Sequence, residues 1–229
     1  PVWPNYPREL FGEIAADTEN DSPLLAAYEQ ALNAMGGYDD PYLKPSSSMY
    51  QWFHTTIGSL YAWNAGYKGA GIKVGVIDSG VDANADLDAN VFGKKDFCDG
   101  TEDAADYIGH GTHVAGIIAA LGNGEKGVGV APQAQIFNAR VYGKDSSKSG
   151  YDATVIAAIN YLIGEENNAT GREVSNTPAR VDIINMSLGG PGSSSAFQTV
   201  IDKAYQKGVI VFGATGNHGG SLAMYPASY

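Results

Sequence analysis

Cysteine is almost absent from the sequence, which has Cys98 as its single example among 229 residues. One cysteine cannot form a disulfide within the chain, so cysteine usage leaves the redox compartment open. Long apolar runs are also lacking, since stretches such as 114–121 and 209–212 are far shorter than the roughly 18 residues that a membrane-spanning helix needs. The sequence therefore predicts no membrane span.

Positive charge is scarce as well. Fourteen Lys and Arg residues stand against 25 Asp and Glu residues, which gives a formal net charge of −11 at pH 7, and no block of Lys and Arg occurs. Nucleic acid and anionic membrane surfaces are poor partners for such a surface. Charged residues make up only 17% of the chain and hydrophobic residues 44%, a balance that is typical of a folded domain and not of a disordered acidic tail.

Apolar, β-rich runs alternate with helical segments from Ile72 onward. This alternation is typical of a parallel sheet with helices on both faces, so we predict a doubly wound, mostly parallel α/β fold. The predicted strands are 72–77, 136–141, 181–186 and 209–212. The predicted helices, where apolar residues recur at helical spacing, are 111–121, 152–163 and 195–207.

The first part of the chain has a different pattern. Ser22-Pro23 begins a predicted helix that Gly36-Gly37 ends, and the intervening apolar residues recur at helical spacing. The Pro- and Ser-rich stretch 40–48 predicts an extended connector. We therefore divide the chain into an N-terminal extension, 1–49, and the main portion of an α/β domain, 50–229.

Three polar residues stand where the chemistry of an open α/β sheet is expected. Asp78 follows the first predicted strand, His110 opens the next helix, and Asn217 lies in a glycine-flanked turn after the last strand. Ligands of such sheets bind beyond the carboxyl ends of the strands, so these side chains are expected at one rim. Carboxylate, imidazole and amide suit a proton relay with an oxyanion donor, although each residue alone also fits a helix cap or a turn.

Five motifs occur in the order and approximate spacing of the subtilisin-like serine proteases. They span 76–82, 110–116, 129–132, 185–190 and 216–217. The chain from about residue 50 to its last residue resembles the catalytic domain of this family. The resemblance implies that Asp78 orients the imidazole, that His110 is the general base and acid, and that Asn217 donates to the oxyanion. It implies a secreted or cell-envelope serine endopeptidase that cuts peptide or protein substrates through an acyl-enzyme.

The same resemblance implies how a peptide would bind. An extended peptide would add as a strand to one edge and face an opposing edge, and a pocket between two backbone walls would take the side chain before the cut bond. The first edge is Ser187, Leu188, Gly189 and Gly190, the opposing edge is Ser149 and Gly150, and Ala214 and Gly216 belong to the second wall. An acidic cluster before His110, formed by Glu102, Asp103 and Asp106, predicts either a solvated loop or a preference for basic substrate residues.

The glycine-rich loop 122–127 fits a dinucleotide-binding pattern, but it follows a helix instead of a strand, which disfavours that function. In the family, the corresponding loop resembles a calcium site, and oxygen ligands suit Ca²⁺. The implied ligands are Asp86, Leu121, Asn123, Glu125 and Gly127. A zinc site built on Asp78, His110 and His113 is the alternative, but it lacks a further ligand at zinc spacing, and the family resemblance implies a structural His113.

The family's nucleophilic serine stands in a Gly-Thr-Ser motif well after the oxyanion asparagine, and no such motif occurs in these residues. Serines at 193–195 fit a loop and a helix cap better than a nucleophile. We therefore expect a catalytic domain cut after Tyr229, with the serine on a companion C-terminal polypeptide. A pseudoprotease that binds extended peptides without cutting them is the alternative, and a nucleotide-dependent oxidoreductase is a third.

Overall fold

The computed structural model describes Gln30, Tyr38 and residues 40–144, 152–165, 180–217 and 224–229. Apart from Gln30, the predicted helix 22–35 lies outside these residues, and so do Ser149 and Gly150. The strands are β1 (Lys73–Asp78), β2 (Val91–Asp96), β3 (Gln135–Arg140), β4 (Ile183–Met186) and β5 (Ile210–Gly213). The helices are α1 (Phe53–Ile57), α2 (Ser59–Asn64), α3 (His110–Ala119), α4 (Asp152–Leu162) and α5 (Ser195–Gln206), after a 3₁₀ turn at Pro41–Leu43.

All five strands pair in parallel, in the order β2-β3-β1-β4-β5, which confirms the predicted α/β fold. The four predicted strands and three predicted helices agree with the structure to within a few residues at each end. The sequence analysis missed β2, an edge strand in which Gly93, Lys94 and Lys95 follow only two apolar residues. Gly93 is needed there, because a methyl group on its Cα would lie 2.7 Å from the Phe137 ring.

Strand β1 contributes to both layers of the core, which is why none of its interior residues, Val74–Ile77, has a polar side chain. Val74 and Val76 pack with Ala115 and Ala119 of α3 on one face of the sheet. Ile77 belongs to the second cluster, which α4 and α5 form with the other face. Full burial of each such side chain contributes about 1.5–3 kcal/mol to the stability of the fold. Strand β1, including its carboxyl end, is therefore held firmly between the two layers. No helix in the described parts of the chain is long and apolar enough to cross a membrane.

The predicted extended connector at 40–48 is wrong, because Pro41–Leu43 forms a 3₁₀ turn and Leu43 is fully buried against Leu60 and Trp63. The burial of Leu43 decides the local conformation, and the proline fits the first position of the turn. Residues 42–63 hydrogen-bond to residues 126–130, the segment after α3, and we call this contact region the clasp. The Gln51 side chain makes two hydrogen bonds with the backbone of Val128, and the Trp63 indole N–H donates to the Val130 carbonyl at 2.8 Å.

A buried histidine completes this clasp. His54 has no solvent exposure, and its Nε2–H donates to the Val128 carbonyl at 2.9 Å. Its Nδ1 is therefore the unprotonated nitrogen, and that atom is buried without a hydrogen-bond partner. The ring lies between Phe53 and Trp63, with centroid distances of 4.3 and 4.9 Å. A proton on Nδ1 would place a charge among aromatic rings, and this burial lowers the pKa of His54.

We expect His54 to make the fold sensitive to acid. Its folded pKa lies below the unfolded value of about 6.5, so the unfolded chain binds more protons as the pH falls below that value, and stability drops in that range. Thermal unfolding of the complete protein, followed at about pH 7.5 and about pH 5.5, should show a smaller acid-induced fall in Tm for His54→Leu than for the unmodified protein. His113→Leu is the control, since His113 is solvent-exposed. An equal fall in Tm for the unmodified protein and His54→Leu would contradict the assignment.

Candidate active site

Asp78 and His110 form a hydrogen-bonded pair at the carboxyl edge of the sheet. His110 Nδ1 donates to Asp78 Oδ1 at 2.7 Å. The Asp78 residue is only 2% exposed, whereas 52% of the His110 side chain is exposed. The same carboxylate oxygen accepts the Ser79 N–H at 2.7 Å, which fixes its position. Because the carboxylate holds the proton on Nδ1, the lone pair of Nε2 is free to accept a proton on the exposed side of the ring.

The close approach of α3 to the end of β1 requires glycine after His110. A methyl group on the Cα of Gly111 would lie 2.1 Å from the Gly80 carbonyl oxygen and 3.0 Å from Asp78 Cβ. Separations this short are far inside van der Waals contact, so any larger residue would push the helix away from the strand. Gly111 thus sets the distance that the pair of Asp78 and His110 needs.

Asp106 anchors the start of α3. Its carboxylate accepts hydrogen bonds from the Ser79 hydroxyl at 2.8 Å, from the Gly109 N–H at 2.8 Å, and from the N–H and hydroxyl of Thr112 at 2.9 and 2.7 Å. Burial raises the pKa of Asp106, but the hydrogen bonds from Thr112, Gly109 and Ser79 outweigh burial and hold the pKa below its usual value. A carboxylate at this end also complements the helix dipole.

The acidic cluster before His110 is largely engaged within the protein. The Tyr107 hydroxyl donates to Asp103 at 2.6 Å, and the Lys144 ammonium lies 3.3 Å from the same carboxylate. The hydrogen bonds from Tyr107, Ala105 and Lys144 lower the pKa of Asp103 to about 2. Asp106 is buried at the start of α3. Of the three acidic residues, only Glu102 is fully solvent-exposed, as the prediction of a solvated loop required. A preference for basic substrate residues has little support from these contacts.

The two predicted peptide-binding walls lie side by side. Ser187, Leu188, Gly189 and Gly190 follow β4, while Ala214, Gly216 and Asn217 follow β5. The Ala214 N–H donates to the Met186 carbonyl at 3.1 Å, and Asn217 is solvent-exposed. Since β1, β4 and β5 are successive strands in the sheet, both walls and Asp78 share its carboxyl edge. The predicted opposing edge, Ser149 and Gly150, lies outside the described residues.

Asp40, which the sequence analysis did not include, adds a carboxylate to the predicted calcium loop. Asp86 accepts the Leu121 N–H on its carbonyl at 2.7 Å and the Asn123 side-chain amide on Oδ1 at 3.1 Å. From the other side, Asp40 Oδ1 accepts the Gly124 N–H at 3.0 Å. Asp40 is fully buried, and its Oδ2 has no hydrogen-bond partner. Burial and, after it, the charge of Asp86 raise the pKa of Asp40 despite hydrogen bonds from the backbone.

These donors fit calcium better than zinc. Within the described ranges, no group of three or more His, Cys, Asp or Glu side chains could hold a metal, and this includes Asp78, His110 and His113. Two carboxylates, the Asn123 amide and backbone carbonyls of the loop are hard oxygen ligands of the kind that Ca²⁺ takes. The acidic Asp39-Asp40 pair before Pro41 was the signal available in the sequence, but its burial depends on a loop more than 80 residues away.

Comparison with known proteins gives a consistent result. Residues 69–229 match the Subtilase family. Subtilisin DY of Bacillus licheniformis is 40% identical over 168 residues, which cover 72% of this chain and 55% of that protein. The minor extracellular protease Epr of Bacillus subtilis (strain 168) is 37% identical over 185 residues, or 80% of this chain and 26% of that protein. The major intracellular serine protease of the same strain is 38% identical over 177 residues, or 73% of this chain and 51% of that protein. The chain thus spans about half, or less, of the length of these relatives.

Proposed function

Because the chain belongs to the subtilase family, we propose that it is part of a serine endopeptidase that hydrolyses peptide bonds through an acyl-enzyme. One observation carries the proposal: a buried carboxylate, Asp78, accepts the Nδ1–H of an exposed imidazole, His110, at 2.7 Å. This arrangement leaves Nε2 as a base at the surface of the sheet edge. A structural histidine would bury its ring or bond both nitrogens within the fold.

The proposed reaction follows from these positions. His110 Nε2 takes the proton of a serine hydroxyl as the oxygen attacks the peptide carbonyl, and Asp78 stabilises the imidazolium that results. The Asn217 amide and a backbone N–H donate to the oxyanion. His110 then protonates the leaving amine, and water hydrolyses the acyl-enzyme by the same proton transfers. The peptide would add as a strand to Ser187–Gly190, with Ser149–Gly150 as the opposing edge.

The serine of the proposed reaction would come from sequence outside these 229 residues. Exposed apolar side chains at the β5 edge of the sheet support the proposal that a further segment packs there. Ile210 and Phe212 of β5 are each 57% exposed, and Tyr205 of the neighbouring α5 is 82% exposed. Parallel sheets are normally covered on both faces and at their apolar edges. A segment packed against β5 would cover these side chains and lie beside the wall that carries Asn217.

Labelling with a fluorophosphonate probe tests the proposed function. The complete native protein is treated with the probe, digested and mapped by mass spectrometry. We expect one labelled serine, outside residues 1–229, and loss of labelling when the probe is added to unfolded protein. Absence of any label would overturn the proposal and favour the peptide-binding pseudoprotease. A label on a serine within 193–195 would overturn the assignment of the nucleophile.

The described end of the N-terminal extension, residues 40–49, is proposed to clasp the catalytic portion, 50–229. The Tyr42 N–H donates to the Lys126 carbonyl at 2.9 Å, so the described end of this extension contacts the loop after α3. His110 stands at the opposite end of that ten-residue helix, about 15 Å away.

A secreted or cell-envelope location is also proposed. The relative named as an extracellular protease supports it, and the one named as intracellular is the competing case.

We also propose that the loop 121–127 binds Ca²⁺ with Asp86, Leu121, Asn123, Glu125 and Gly127, and that Asp40 joins them. A cation would pair with the unpartnered Oδ2 of Asp40 and offset the repulsion between Asp40 and Asp86. Ca²⁺ at 100 times its Kd would then stabilise the fold by about 2.7 kcal/mol. The proposed ion would hold the loop against the clasp. It would have no part in the proton transfers, which take place at His110, at the other end of α3.

We expect calcium to raise the Tm of the complete protein and chelation to lower it. In Asp40→Asn, the calcium-dependent rise should shrink by more than half, because a ligand charge is lost, while the Tm in chelator should stay equal or increase, because the repulsion with Asp86 is relieved. Asp202→Asn, which changes an exposed carboxylate on α5, should keep the full calcium response. An unmodified protein whose Tm is the same in calcium and in chelator would contradict the site.

A further inference from the structure

We propose that Ser79, the residue after Asp78, is a positioning residue for the reaction: its hydroxyl holds the start of α3 against the end of β1, which keeps His110 within hydrogen-bond distance of Asp78. The proposal rests on the proposed peptidase function. It adds a buried residue that acts through the pair of Asp78 and His110 and takes no part in the proton transfers.

The Ser79 hydroxyl makes hydrogen bonds in both directions. Its oxygen accepts the N–H of Gly111, the residue after His110, at 2.9 Å, and its O–H donates to Asp106 Oδ1 at 2.8 Å. Ser79 is only 3% exposed, so water does not compete for these bonds. One hydroxyl therefore joins the end of the strand that carries Asp78 to the first turn of the helix that His110 begins.

The backbone of Ser79 acts on the carboxylate itself. The Ser79 N–H donates to Asp78 Oδ1 at 2.7 Å, and the same oxygen accepts the His110 Nδ1–H at 2.7 Å. Ser79 thus binds Asp78 through its N–H and binds the peptide group after His110 through its hydroxyl. The separation of the two side chains is therefore controlled from both sides by one residue.

Asp106 fixes the direction of the Ser79 hydroxyl. Its Oδ1 also accepts the N–H groups of residues 108 and 109 at 3.0 and 2.8 Å, and its Oδ2 accepts the N–H and the hydroxyl of Thr112 at 2.9 and 2.7 Å. All of these partners donate, which suits an ionised carboxylate that can only accept. The Ser79 proton must then point to Asp106, which leaves a lone pair of the hydroxyl for the N–H of α3.

The packing of α3 against β1 shows why a hydrogen bond is needed there. Gly111 lies directly against the Gly80 carbonyl, with no room for a side chain between them. This contact prevents the helix from moving closer to the strand, but it does not prevent movement away. The bond from Gly111 to the Ser79 hydroxyl opposes that movement. A displacement of about 1 Å in a catalytic group costs roughly 100-fold in rate, so a small shift of His110 matters.

Kinetics of the complete protein test the proposal. Ser79→Ala removes the hydroxyl and keeps the N–H that binds Asp78. We expect kcat to fall by about 10- to 100-fold with little change in KM, because a buried hydroxyl does not contact the peptide. Ser79→Thr keeps a hydroxyl on the same carbon and should retain kcat within a few-fold. Ser59→Ala is the matched control, since it removes a buried serine hydroxyl that has no hydrogen-bond partner, and both constants should stay unchanged.

Proton NMR separates positioning from a general loss of structure. The His110 Nδ1–H should give a far-downfield signal, because its bond to a carboxylate is charge-assisted and slows exchange with water, and His110→Ala identifies the signal by its absence. In folded Ser79→Ala this signal should move upfield or disappear through exchange, and Ser79→Thr should restore it. If Ser79→Ala does not fold, Ser79→Cys provides the test, because a thiol fills the space but is a weak donor and acceptor.

Fluorophosphonate titration gives the concentration of active sites and separates this proposal from the proposed function. An unchanged kcat and NMR signal in a labelled, folded Ser79→Ala would overturn the role of Ser79 and leave the proposed function intact. A loss confined to KM would do the same. An unmodified protein that neither labels nor hydrolyses any peptide would refute the proposed function. The NMR comparison would then still decide whether Ser79 holds Asp78 and His110 together.

Discussion

Under the proposed function, replacing His110 by alanine is expected to lower the kcat of the complete protein by about 10⁶-fold, the size of loss seen when the equivalent histidine is removed from subtilisin. His110 Nε2 is the only base that the described structure places beside the buried Asp78 carboxylate. Without it, the serine hydroxyl has no acceptor for its proton and the leaving amine has no acid. Asp78 cannot substitute, because it is 2% exposed at the end of β1.

Single-turnover and steady-state hydrolysis of one peptide, normalised by protein concentration, measure this loss. The rate of fluorophosphonate labelling should fall together with kcat, since both reactions need an activated serine. His113→Ala is the matched control, because His113 is three residues further along α3 and exposed, and its kcat should remain within a few-fold of the original. A His110→Ala enzyme that is folded by circular dichroism and retains more than a hundredth of its activity would refute the role of His110.

Local sequence patterns were sufficient to predict the central strands and the helices that cover them. Strand β1 is buried on both faces and is therefore nearly continuous in apolar residues, a pattern that is easy to recognise. Strand β2 lies at the edge and contains Lys94 and Lys95, so its pattern does not indicate a strand. The Lys95 ammonium lies 4.5 Å from the centre of the Tyr161 ring, and burial lowers the pKa of Lys95. A lysine that packs along an aromatic surface in this way cannot be distinguished from a solvated one by sequence.

The pairing of Asp78 with His110 could be predicted because the order and spacing of their motifs in the chain carry the information, but the residues that support the pair could not. Asp40, Asp106 and Arg140 are all buried charged or polar residues whose partners are distant in sequence. Arg140 is fully buried at the end of β3, where its guanidinium donates to Asp99 at 2.7 Å and to the Asp103 carbonyl at 2.8 Å. Each of these side chains would be assigned to the surface by composition alone. Only the three-dimensional contacts show that these side chains hold in place the loops around His110 and the loop 121–127, for which we propose calcium binding.

Replacing Asp78 by asparagine is expected to lower kcat by about 10⁴-fold, the loss that this substitution causes in a known Ser-His-Asp triad. KM should change little, because the buried Asp78 side chain does not contact the substrate. Asp78 Oδ1 accepts both the Ser79 N–H and the His110 Nδ1–H, so an asparagine oxygen could keep its place but would no longer carry a charge. The imidazolium that forms as the serine attacks would then lack its stabilising partner. In addition, Oδ2 is buried without a hydrogen-bond partner, and an amide N–H₂ at that site would be an unsatisfied donor.

The same kcat measurement, made on Asp78→Asn, His110→Ala and the double variant, tests how the carboxylate acts. Because Asp78 touches the reaction only through the imidazole, the double variant should be no slower than His110→Ala alone, and the residual rate should come from the oxyanion donors and peptide binding. Asp88→Asn, which alters an exposed carboxylate after β1, controls for the loss of one negative charge. A double variant that is much slower than His110→Ala would mean that Asp78 acts on the substrate independently of His110, and the 2.7 Å hydrogen bond would then not be the basis of catalysis.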